Sequence, residues 1–231
     1  MSTLARCRTI SSTGIPVRKG DYYEKGIYGK KVLVLGHTYP CNEFGTKKGC
    51  IEIPNAENSY CRGCGFTQQC SDATKNTVKE YMANEWKGQV GGRRKATHTK
   101  FLKSLLPDVY HLDGYRYVAF YNFVQVAVNA NGGLIGLADE KYYELSVEPF
   151  LKVLDQYQPD CIIIWGKHVF YKLLFYLEKL AHIVIESKTD EHFTIHYHGN
   201  NYHVMRIMHP SSGGYNRSLW TDKIKEFLLS F

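Results

Sequence analysis

His209 is followed by Pro210, Ser211, Ser212, Gly213, Gly214 and Tyr215, directly after the apolar run 202–208. A histidine set by a proline at the end of an expected strand, then small residues with backbone N–H groups to offer, suits phosphate binding and stabilisation of developing negative charge. A second chemistry is carried by cysteine. Cys7 and Cys161 stand apart, whereas Cys41, Cys50, Cys61, Cys64 and Cys70 crowd into one short stretch, with Cys61 and Cys64 in a Cys-x-x-Cys knuckle. Four thiolates from Cys50, Cys61, Cys64 and Cys70 can close a tetrahedral site, and structural zinc is the expected occupant. An iron–sulfur cluster uses the same ligands, Cys41 is an alternate ligand, and free thiols are the plain alternative.

Composition limits the setting of these residues. The 231-residue chain is 44% hydrophobic, enough for one core, and no apolar run approaches the ~20 residues of a membrane span. Residues 1–18 are polar and basic with no apolar leader core, so a soluble, cytoplasmic monomer is expected, in a compartment where disulfides are unlikely staples. Formal net charge is +7, with cations clustered at Lys30-Lys31, Lys47-Lys48, Arg93-Arg94-Lys95 and around Lys100 and Lys103. Together with 18 tyrosines this suits a partner with phosphates and stackable bases, although a merely basic enzyme has the same balance.

The elements that must position this chemistry alternate. Residues 31–35 form a buried aliphatic run ended by Gly36, and 161–165 form another ended by Gly166, both expected as parallel strands. Further strands are expected over 117–128, 183–185, 194–197 and 203–208; helices over 73–86, 97–106, 140–156, 168–181 and 218–229. Residues 41–72 read as an insertion within a single domain covering 1–231, and 91–95 as a flexible basic loop. The fold class expected is α/β, a three-layer αβα sandwich with a central, mainly parallel sheet, and ligands of such sheets bind outside the strands' carboxyl ends. Four stretches meet that condition: 36–43, 122–125, 166–168 and 209–215.

In this order, the four stretches resemble the uracil-DNA glycosylase superfamily. Cys161-Ile162-Ile163-Ile164-Trp165-Gly166 is similar to its apolar strand ending in Trp-Gly, His209-Pro210-Ser211 to its histidine motif, Val118-Ala119-Phe120-Tyr121-Asn122 to the strand whose asparagine reads a flipped pyrimidine, and Val32-Leu33-Val34-Leu35-Gly36 to the strand that begins its water-activating motif. The resemblance covers about residues 31–231 without the cysteine insertion. It implies hydrolysis of the N-glycosidic bond of a base swung out of DNA, with DNA as partner and no cofactor for the chemistry.

The resemblance gives His209 the donor role at the departing base, and Asn122, assisted by Gln125, the reading of the base edge. The water-activating motif departs from the pattern, since Gly36 is followed by His37-Thr38-Tyr39-Pro40 and Thr38 lacks a carboxylate. Asn42 and Glu43, further along the loop, are favoured over His37 for that task; Asn42 as a cap of the insertion, Thr38 bonded to its own backbone and His37 as a packed turn residue are the structural alternatives. The family's methyl-excluding aromatic follows an Asp-Pro pair, whereas the order here is Tyr39-Pro40-Cys41, so with that guard moved or absent the pocket is expected to admit a modified pyrimidine, such as hydroxymethylated or glucosylated cytosine of phage DNA. Ser211, Ser212, Gly213, Arg217 and Lys167 are expected on phosphates, and Tyr215 as an intercalating wedge, with packing against the last helix as its alternative. Two further readings stand beside this one: plain uracil excision in repair, and a DNA-binding protein on the same fold without chemistry. A zinc deaminase is disfavoured because no His-x-Glu accompanies the cysteines.

Overall fold

The computed structural model describes residues 17–37, 39–41, 93–108, 111–124, 127–129 and 140–231. The expected helix over 73–86 and nearly all of the 41–72 insertion lie outside the described residues.

Seven strands form one mixed sheet: β1 (Arg18–Lys19), β2 (Val32–Gly36), β4 (Val118–Asn122), β6 (Cys161–Trp165), β7 (Val184–Glu186), β8 (His192–Tyr197) and β9 (Asn200–Ile207), in the spatial order β1-β4-β2-β6-β9-β8-β7. β4, β2, β6 and β9 are parallel neighbours; β1, β8 and β7 add antiparallel edges. All residues of β2, β4 and β6 are buried, as expected for strands covered on both faces. A separate two-stranded sheet pairs β3 (Tyr39–Cys41) with β5 (Ala127–Asn129).

Strand alternation sends Leu33, Leu35, Ile162 and Ile164 to one face, where they pack with α2 (Glu140–Tyr157) and α3 (Lys167–Leu177). Val32, Val34, Cys161, Ile163 and Trp165 point to the other, against α1 (Arg93–Leu105) and α4 (Arg217–Leu229). Helical layers thus cover both faces, as the expected αβα arrangement requires. None of the described helices is long and apolar enough to cross a membrane.

Two expectations need correcting. Arg93, Arg94 and Lys95 open α1 rather than forming a loop, because arginine, lysine and the following alanine favour helix. The run 117–128 is not one strand: β4 ends at Asn122, and β5 pairs with β3 outside the main sheet. The short turn 111–117 is a 3-10 helix that leads into β4.

Candidate active site

Because β4, β2, β6 and β9 are parallel, their carboxyl ends share one edge of the sheet. The chain passes from β2 to β4 on one side and then to β6 on the other, so the order reverses between β2 and β6, where open α/β sheets form their ligand crevice. Gly36, Asn122, Gly166 and His209, one from each of the four stretches, lie along that edge.

At β2 and β4, Gly36 is in register with Asn122. A methyl group on Gly36 would overlap Asn122 Oδ1, so glycine is required for the asparagine amide to lie across the strand end. Asn122 is only 4% exposed, a buried polar side chain among apolar neighbours. The two ends are tied beyond the sheet, with Phe123 N–H donating to Gly36 O (2.9 Å) and Val124 N–H to His37 O (2.8 Å).

At β6 and β9, Gly166 turns the chain from strand to helix at φ +93°, where a side chain would be strained, and donates to Ile207 O (2.9 Å). His209 sits beside it, edge-on to Trp165 with ring centroids 5.8 Å apart. Ser211 N–H donates to His209 Nδ1 (3.2 Å), and Ser211 Oγ lies 2.7 Å from the same nitrogen. A backbone N–H can only donate. Nδ1 is therefore the unprotonated nitrogen, and the neutral ring carries its proton on Nε2. Burial lowers the His209 pKa, which keeps the ring in that neutral, Nε2-protonated form at neutral pH.

His37 follows β2 and shares a 2.6 Å hydrogen bond between Nε2 and the Tyr143 hydroxyl, with the two rings stacked at 5.7 Å. His168, in the first turn of α3, meets both rings edge-on. Burial, then the His168 and His209 charges, push the His37 pKa down to about 3. A ring so reluctant to take a proton is a poor base for activating water, and through Tyr143 His37 ties the strand end to α2. Tyr143 went unrecognised because it falls on the apolar stripe of α2. The signal was a phenol in that stripe, since a buried hydroxyl needs a partner.

The loop after His209 divides its duties differently from expectation. Ser211 spends both its N–H and its hydroxyl on His209, and Ser212 N–H donates to His209 O (2.8 Å), so these serines position the ring before they can meet a phosphate. Gly213 and Gly214 are exposed and their N–H groups enter no hydrogen bond among the described residues. Tyr215 is not an exposed wedge: it is 8% exposed, its hydroxyl donates to Ser104 Oγ (3.0 Å), and its ring stacks on Trp220 of α4. The exposed apolar side chain beside the site is Met208, at 38%. Lys167 and Arg217 are exposed at the first residues of α3 and α4. Asn216 caps α4 by accepting from Leu219 N–H (3.1 Å).

Thr38, Asn42, Glu43 and Gln125 lie outside the described residues, as do Cys50, Cys61, Cys64 and Cys70; of Tyr39 only the backbone is described. No group of three or more His, Cys, Asp or Glu suited to a metal occurs among the described residues. No protein-family model matches the chain, and no curated protein matches it.

Proposed function

We propose that the protein is a monofunctional DNA glycosylase acting on a flipped, modified pyrimidine, with hydroxymethylated or glucosylated cytosine as the preferred substrate class and uracil as the runner-up. The observation that carries this reading is the tautomer of His209: a neutral imidazole whose Nε2–H is available because Ser211 N–H occupies Nδ1. In the reaction the sugar C1′–N bond breaks and its electron pair departs on the base. His209 Nε2–H stabilises the negative charge that builds on a base carbonyl; water supplies hydroxide to C1′, and its proton neutralises the base. Asn122, at the end of β4 and three strands from β9, carries both a donor and an acceptor in its amide, the complement of a pyrimidine edge. Water orientation falls to Asn42 or Glu43, as the sequence suggests. A structural zinc on Cys50, Cys61, Cys64 and Cys70 belongs to the same reading, and elemental analysis with Cys61→Ser as control measures it.

The test is formation of alkali-labile abasic sites in uracil-containing, mismatched and phage-modified DNA, with released bases identified by mass spectrometry. Release of a modified cytosine, lost in His209→Ala, is expected. Efficient uracil release with modified DNA untouched would move the assignment to the uracil branch, and DNA binding without any base release would leave a non-catalytic binder.

A further inference from the structure

Beyond the crevice, α3 carries a surface with its own chemistry. Lys167, Tyr171, Phe175 and Lys179 recur every fourth residue, all exposed, along a ridge that starts beside Gly166 and runs past the helix end at Leu177. Tyr171 is 43% and Phe175 47% exposed, large values for rings on a helix that buries its other apolar residues. They line a groove of about 600 Å³ with Glu140, Lys172, Tyr176 and Lys179. The Lys179 ammonium lies over the Phe175 ring at 3.9 Å and the Tyr176 ring at 4.7 Å.

Two acids near this ridge are engaged, while Glu144 of α2 stays exposed close to Tyr176. Glu140 is bound by Lys172 and by the Tyr176 hydroxyl (2.9 Å), and Glu178 by Lys188 (2.6 Å). Positive charge therefore remains at both ends of the ridge, with two aromatic faces between. Cation, ring, ring, cation is the pattern that accepts stacked bases with phosphates on either side. Tyr171 and Phe175, four residues apart, are spaced by about 6 Å along the helix axis, the reach of adjacent nucleotides in a stretched strand. A lipid surface would need a broader apolar face than two rings supply.

We infer that this ridge is a binding track for single-stranded nucleic acid, with bases stacked on Tyr171 and Phe175 and phosphates at Lys167 and Lys179. Its placement beside Gly166 and His209 makes it the path of the strand leaving the crevice, an orientation that rests on the glycosylase reading; the binding itself does not.

Fluorescence anisotropy of labelled oligothymidines tests it. Tyr171→Ala and Phe175→Ala are expected to weaken binding of a ten-nucleotide strand by about 5- to 150-fold each. The pair Lys167→Gln and Lys179→Gln should reduce the salt slope by roughly 1.4, two phosphates at about 0.7 each. Tyr28→Ala, an exposed tyrosine in the turn before β2, is the control and should bind as the unaltered protein does. Equal affinity of the ridge variants and the unaltered protein would overturn the track, as would loss of self-association in place of loss of strand binding. A protein that binds strands with this dependence but releases no base would refute the glycosylase reading alone. A protein that releases base while the ridge variants bind normally would refute the track alone.

Discussion

His209→Ala removes the Nε2–H donor and should lower base release by about 10²- to 10³-fold, the usual loss for one donor at a developing anion. Ser211→Ala deletes the hydroxyl but leaves the backbone N–H that fixes the tautomer, so single-turnover kinetics should show a loss of only about tenfold, the size of one hydrogen bond. Because burial lowers the His209 pKa, the acidic limb of the rate profile should fall below the ordinary histidine value of 6.5. Met208→Ala should weaken binding to duplex DNA several-fold while sparing single strands, measured side by side, since only a duplex has a stack to fill. At this scale the sequence was informative where chemistry is local. His209 and Asn122 stand at strand ends that their own neighbours define. Tyr215 misled because its burial depends on Ser104 and Trp220, which only the packing of α1 and α4 brings to it.

The β2 and β4 ends act as one piece, joined by register and by two backbone bonds past the sheet. Gly36→Ala should therefore disturb base recognition by displacing the Asn122 amide. In an Asn122→Ala background most of its cost should vanish, leaving the lesser contact with Phe120 Cζ at 3.1 Å. Chemical denaturation of the four proteins of this cycle, with base release measured in parallel, gives the coupling; additive effects would refute it. Strands β2 and β6 were legible as buried aliphatic runs closed by glycine, and α2 by its apolar period. β1 and β3, with two and three residues, are too short to carry any period. The end of β4 was missed because Phe123 and Val124 continue the apolar run while their N–H groups already turn to the β2 end.

Across the molecule, His37, His168 and His209 gather on one edge of the sheet, each with its pKa lowered chiefly by burial. A histidine harder to protonate in the folded chain than in the unfolded one makes the unfolded state the better proton binder. Its contribution is intact above pH 6.5 and is lost as pH falls toward the folded value, about 3 for His37. For His37 alone, going from pH 7 to pH 5 should cost about 2 kcal/mol, some 1.5 pH units below the free value at 1.36 kcal/mol each. Thermal melts over that range should show the midpoint falling, and His37→Gln should flatten the slope.

The parallel pairing of β2 also governs the order in which the molecule can be built. β7, β8 and β9 lie close in the chain, whereas Val32 must find both Val118 and Cys161. Distant pairings close late, since the chain must give up its loop entropy before they reward it. β2, which needs both distant partners, is therefore expected to pair late in folding. On the glycosylase reading, recovery of base release, rather than of helix content, is expected to mark complete renaturation.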